Sequence, residues 1–492
     1  MMIRQPVIRW LPATTLNRCG TTEVALIANR LMPIPTLGNS PSMRRTRNIM
    51  LHPSQFDKYR SILLDMLLAI LFVSCAMGIA HWKQQYPDQL TWLEQDARSH
   101  LGAEYNQIAI AIYNGQGFSN PFRVQTGPTS WMPPVLPYLM ASLYWVGGGS
   151  ENFVTRCMLL ANAFAVTVSS WIVLREARKL GMVVVGYVVL IGGLMANFHQ
   201  LFQSTSDTAL LLFVVNLLWL GTVKLRVPAC RFSFAIAWGL FGGICALCSP
   251  VVGAVWAVLT LIKLLPHKAT LAQFAVAATI SILIVAPWTI RNRVVLGAWV
   301  PIKSNGMYEL WQSQCVDNEG VLDSRTLFDQ PFSGYSTQRK RYQELGEIAF
   351  IEEKGAIAKK SIYENPREFA TRIANRWSAA CLFYTPMKSV DEHPGGGWPI
   401  FWKRIVFPLP VISLLIVLIL RAVPFEPELW SAASIWFFAL LPYIVISYYD
   451  RYATPLVGMK MLIVIFGLHT LVSSDFVSRL GKARHCAVNF RG

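Results

Sequence analysis

HWKQQYPDQLTWLEQDARSHLGAEYNQIAIAIYNGQGFSNPFRVQTGPTSWMPPVLPYLMASLYWVGGG, residues 81–149, is the stretch whose reading decides the fold. It carries acidic residues, a Gly-Gln-Gly turn at 115–117 and a Pro-Pro pair at 133–134 that leads into a short apolar run. Before it lies Ser61–Ala80, the first strongly apolar segment, of the length a bilayer requires, about 20 residues. Lys58 and Arg60 precede that segment and hold its start in the cytoplasm, because basic residues stay on that side. The quoted stretch therefore emerges outside. Its final run, Val135–Val146, is short for a crossing. If it does not cross, the basic connectors Arg175/Arg178/Lys179, Lys224/Arg226/Arg231 and Lys263/Lys268 all fall inside; if it crosses, all three fall outside, against the rule. The run is read as an interfacial or re-entrant helix.

Working outward, further spans are expected at Phe153–Leu174, Met182–Phe202, Thr208–Val223, Phe232–Leu247, Val251–Leu265 and Leu271–Trp288. Three more follow at Ile405–Leu420, Leu429–Ser447 and Ala453–Val472. The expectation is an all-α polytopic membrane protein of roughly ten spans with both termini cytoplasmic. Composition agrees: 53% of the 492 residues are hydrophobic and 14% are charged, against roughly 25% charged in soluble domains. The net charge of +17 lies largely in inner loops and tails, where membrane topology accounts for it. No nucleic-acid-binding pattern accompanies it. The chain divides into a basic disordered tail (1–57), an N-terminal bundle (58–288) with an outer loop (81–152), a polar outer insertion (289–403), C-terminal helices (404–473) and a basic tail (474–492). The insertion reads as helical from 346 to 377, interrupted at Asn365-Pro366.

On this topology the acidic loop, HQLFQSTSD (199–207), PWTIRN (287–292), the insertion and YYDRY (448–452) share the outer face. Ionisable groups near membrane depth are costly and tend to be functional, so one outer site is expected. Asp96 and Glu104 are candidate proton acceptors, with solvated surface acids as the plain alternative. Asp207 is either a helix N-cap or a second acid of the site. Arg291, Arg451 and Arg123 suit a phosphate, since the guanidinium fork donates paired hydrogen bonds; interfacial anchoring, or for Arg451 pairing with Asp450, is the alternative. Arg156, near the outer end of its span, snorkels to the interface. Cys245 and Cys248 have CxxC spacing but lie in an apolar run and read as buried packing. Pairing of Cys315 with Cys381 stays open. His393, beside Asp391 and Glu392, lacks the spacing of a metal site.

An acid followed by IAIAIYNGQGFSNPF and TGPTSWMPPVLPYLMA (104–141), then APWTIRNRVVLGAWVPIKSNGMYELW (286–311), GEIAF (346–350) with NPREF (365–369), and DRYATPL (450–456) run in this order along most of the chain. In these stretches the chain resembles the bacterial family 39 membrane glycosyltransferases of the GT-C fold, relatives of the protein O-mannosyltransferases and the lipid A aminoarabinose transferases. The resemblance implies transfer of a sugar from polyprenyl phosphate to a lipid, glycan or protein acceptor at the outer face of a bacterial inner membrane. It implies Glu104, or else Asp96, as the base, Asp207 as a second acid, and Arg291 and Arg451 at the lipid phosphate. The resemblance assigns no certain cofactor, and a divalent cation is compatible with the acids. Membrane lipids are the other expected partners. The rival reading is a transporter or flippase of a lipid-linked substrate, against which stands the lack of a repeated half.

Overall fold

The computed structural model describes residues 53–85, 103–225, 231–267, 270–317, 319–322, 330–333, 336–384, 398–420 and 426–473. Asp96 and the 391–397 loop with His393 lie outside them, as do nearly all of the N-terminal unit, residues 1–56, and the tail beyond 473. Among the described residues the regular structure is helical, with two isolated bridges, Ser119 to Pro128 and Val321 to Tyr448.

Helix α1 (Pro53–Gln85) shows why the chain needs a bilayer. Leu63, Met66, Leu67, Ile70 and Leu71 all point away from protein, and only 11% of its most apolar window is buried. A helix that exposes this much apolar surface is stable only where its surroundings are apolar too. Six helices are long and apolar enough to cross: α1, α4 (Glu151–Lys179), α9 (Leu271–Leu296), the 400–420 segment, α16 (Pro427–Val445) and the 450–473 segment. The shorter apolar helices are α3 (Val135–Val146), α5 (Val183–Ala196), α6 (Thr208–Lys224), α7 (Phe232–Cys248) and α8 (Pro250–Leu264). The molecule is a multi-pass membrane protein.

Two expected boundaries move. The span expected at Met182–Phe202 stops at Ala196 and gives way to a π-turn at His199–Gln203. Asn197 caps the change by donating Nδ2 to the Gly193 carbonyl at 2.9 Å, since a short amide side chain competes with the helical ladder. The span expected to end at Trp288 runs on as α9 to Leu296, with Pro287 inside it, and stops at Gly297 with φ +73°. Glycine meets that left-handed C-terminal geometry without steric penalty. Trp288 is buried, and its Nε1 donates to the Ile302 carbonyl at 2.8 Å.

In the bundle, α7 lies directly on α8 and α9. A Cβ at Gly239 would stand 2.5 Å from the Ala277 carbonyl oxygen, and one at Gly243 2.5 Å from Ile284 Cβ. These two glycines, four apart, let the backbones approach as small residues do between membrane helices. Cys245 and Cys248 are buried in the same helix as packing residues. Cys315 and Cys381 are both free thiols, the first exposed and the second buried, so they do not pair.

Over the bundle sits a cap with its own core. It joins α2 (Ala103–Tyr113), the 114–134 loop and α3 to the insertion helices α10 (Gly306–Trp311), α11 (Thr337–Leu345) and α12 (Glu347–Glu364). Phe122, Trp131, Tyr308, Tyr342 and Phe350 are buried there with ring centroids 4.9–5.8 Å apart, a spacing that favours edge-on contact. Glu347 lies at the centre. It accepts from Ser130 N (2.8 Å), Ser130 Oγ (2.9 Å), Ser304 Oγ (2.7 Å), Tyr342 OH (2.7 Å) and Thr129 Oγ1. A buried carboxyl needs such donors, because polar atoms taken from water without partners are costly. Helix α13 (Pro366–Cys381) begins after the expected break at Asn365. Its Arg376, fully buried, donates to the carbonyls of Ile444 (2.6 Å), Val445 (2.9 Å) and Gly320 (3.2 Å). The insertion is thereby fixed to the end of α16, whose last carbonyls lack helical partners.

Candidate active site

Glu104 stands in the first turn of α2, which Ile108, Ala109 and Ile112 seat in the cap core. Protein surrounds the Glu104 carboxyl, yet the residue keeps an accessible edge. Burial is the main cause holding its carboxyl above the ordinary carboxylate range; Glu309 and Asp207 push the same way, and Arg451 opposes them.

Its neighbour Tyr105 donates its hydroxyl to Asp207 Oδ2 at 2.9 Å. Asp207 is the residue before α6, but its side chain makes no capping bond there. It turns instead to Tyr105 and to Arg451, whose Nη2 is 3.6 Å from Asp207 Oδ1. Arg451 belongs to α17 (Asp450–Ala453), a short helix that follows α16. About a third of its side chain is exposed (31%). Tyr443 and Tyr452, stacked at 4.4 Å, sit within electrostatic range of Asp207, Glu309 and Arg451. Glu309, on α10, pairs with Lys303 at 3.0 Å.

The structure thus brings Glu104, Asp207 and Arg451 together from three distant parts of the chain. Arg291 is placed differently. Its Nη1 donates to the Thr129 carbonyl (2.7 Å) and Asn292 Oδ1 (3.0 Å), and its Nη2 to the Phe118 carbonyl (2.8 Å). The guanidinium also lies 5.0 Å from the Trp288 ring and 5.6 Å from Phe118. Arg291 ties the 114–134 loop to α9. Arg123 occupies a turn of that loop with φ +59°, beside the buried Phe122. Arg156 donates to Gln84 Oε1 at 2.7 Å.

Tyr105, Glu309 and Lys303 complete the group, and the sequence reading did not single them out. Tyr105 adjoins Glu104, and Glu309 lies within a stretch quoted for the resemblance, but no spacing separates Glu309 from a surface acid. Among the described residues no three His, Cys, Asp or Glu side chains are arranged to hold a metal ion.

No protein-family model matches the chain, and no curated protein matches it. Among solved structures it is similar to ArnT from Cupriavidus metallidurans bound to undecaprenyl phosphate, at 14% identity over 82% of this chain and 77% of that one, with a TM-score of 0.34. A likeness of that size carries no argument by itself.

Proposed function

We propose that this protein is a GT-C-type glycosyltransferase that moves a sugar from a polyprenyl-phosphate donor to a hydroxyl-bearing acceptor at the outer membrane face. The observation that carries the reading is the meeting of Glu104, Asp207 and Arg451 in one cluster. The motif order from residue 104 to 456 supports it.

In this reading the acceptor hydroxyl loses its proton to Glu104 as its oxygen attacks the anomeric carbon. The carbon–oxygen bond to phosphate breaks, and its electron pair leaves on the lipid phosphate. Displacement from the far side inverts the anomeric centre. A carboxyl held above the ordinary range is a stronger proton acceptor once ionised, which suits a general base. Arg451 stabilises the charge that grows on the departing phosphate, as a fixed cation does in a site poor in water. Asp207, bonded to Tyr105 and paired with Arg451, orients that cation. Arg291 shapes the site by holding residues 118 and 129.

The test is turnover by reconstituted protein given a panel of undecaprenyl-phosphate sugars. The expected result is cleavage of one donor, lowered about 10²–10⁴-fold in Glu104→Gln, the range for loss of a general base. Movement of the lipid across the bilayer without bond cleavage, or full turnover by Glu104→Gln, would overturn the reading.

A further inference from the structure

A second charged cluster lies on the other side of α17 from the Glu104 group. Arg451 faces Asp207, while the preceding residue, Asp450, faces Lys403 of α14 (Trp398–Val406). Lys403 Nζ is 2.9 Å from Asp450 Oδ2, donates to Tyr384 OH at 3.2 Å and lies 4.3 Å from the Tyr384 ring centre. A second ammonium, from Lys460 in α18 (Val457–Ser473), lies 4.7 Å from the ring centre of Phe407. The Tyr384 and Phe407 rings are themselves in contact at 5.2 Å. Two cations therefore rest on adjoining rings with one carboxylate between them. The other titratable groups within range of Lys460 or Asp450 are Cys381 and Tyr448.

We propose that Lys460 and Lys403 form a seat for a phosphate carried on a membrane lipid. Three observations converge on it. Two lysines stand against one carboxylate, and a charge placed inside a protein needs a counter-charge. A phosphodiester, or a lipid phosphate monoester bearing a single charge, supplies it. Second, hydrogen-bonding capacity stands unused on the donor side. Tyr448 OH and Asp450 Oδ1 are buried without a hydrogen-bond partner, and among the described residues Lys460 makes no hydrogen bond or ion pair. Against the single free acceptor oxygen stand the Lys460 ammonium with three N–H groups and the Tyr448 hydroxyl, the pattern that suits a multiply accepting anion. Third, the cluster adjoins lipid. Phe401 and Ile405 of α14 are 52% and 41% exposed, and Ile412 and Leu415 continue that apolar surface. A lipid tail can lie along α14 while its head reaches the lysines. An ionisable side chain within a membrane helix is by default functional, and the transfer chemistry above gives Lys460 no part.

The seat does not depend on sugar transfer, and its test reads binding alone. Thermal stability of the full chain in detergent is measured against undecaprenyl phosphate, phosphatidylglycerol and inorganic phosphate, because a ligand of the folded state raises apparent stability in proportion to its occupancy. Both lipids are expected to give a saturable rise. In Lys460→Met the apparent affinity should fall about tenfold or more, as for loss of a charge-assisted hydrogen bond, and Lys460→Arg should restore most of it. Wild-type affinities for all probes in folded Lys460→Met would overturn the seat. A response to inorganic phosphate equal to that of the lipids would overturn the lipid assignment. Should Lys460→Met not fold, native mass spectrometry of the wild type decides: a retained, exchangeable phosphate-bearing lipid is expected, and none retained or taken up would refute the proposal.

Discussion

Glu104 carries the most exposed consequences at the scale of single residues. Its carboxyl lies above the ordinary carboxylate range because burial disfavours its charge. The folded state therefore holds a proton that the unfolded chain has released, between the ordinary value and the raised one, and stability falls as pH rises through that window. Glu104→Gln removes the penalty. The variant should match the wild type in acid below the ordinary range and melt at higher temperature above the raised value; parallel melting curves across pH would contradict this. Turnover of the wild type should gain its basic form along a limb displaced to higher pH than an exposed glutamate would give, read from kcat/KM against pH. Asp207→Asn tests the neighbour. Tyr105 OH can still donate to the amide oxygen, but the charge opposite Arg451 is gone, and transfer should drop about tenfold or more while the protein stays folded. Glu104, Asp207 and Arg451 stood out as candidates in the sequence because ionisable residues beside apolar segments have few structural excuses. Arg291 has the same sequence setting, yet its fork is filled by the carbonyls of residues 118 and 129. Backbone carbonyls carry no residue identity, so nothing in the sequence marks such an engagement.

The element scale is set by how closely helices meet and by what pins the insertion. Gly239 and Gly243 place α7 against α9 with no room for a side chain. Gly243→Leu should prevent that approach and cost about 3 kcal/mol or more, the upper range of overpacking, seen as loss of monodisperse protein in detergent. Glu347→Ala strands the hydroxyls of Thr129, Ser130, Ser304 and Tyr342. Its expected cost is about 3 kcal/mol, as for a buried charged hydrogen-bonding group, and it should fall on the cap before the bundle. Helix positions in the bundle were readable from apolar length, and the break at Asn365-Pro366 from the proline itself. The ends of α5 and α9 were not. Asn197 diverts the chain through a side-chain bond, and Pro287 sits inside a helix that tolerates the lost donor. Both outcomes depend on partners elsewhere, and local propensity does not register them.

At the scale of the whole molecule, a lipid-facing bundle carries a cap whose aromatic core is drawn from both ends of the sequence gap it closes. Trp131 touches Phe122, Tyr308 and Tyr342, so Trp131→Ala should loosen residues 118–132 and 337–358 together. Hydrogen exchange would show it as joint loss of protection, since cooperative units open as one; loss confined to the first segment would argue against a shared core. The Glu347 contact also has a bearing on how the protein is made. Ser130 bonds a residue 217 positions later. At about 5–20 residues per second, the 114–134 loop is finished on the order of 10–40 s before its anchor leaves the ribosome. Through that interval the nascent loop, with the buried Trp131 and Phe122 still uncovered, depends on chaperones or on the nearby bilayer surface. Slow codons or pauses placed between residues 130 and 347 would lengthen the exposure, and the yield of intact protein should fall with them.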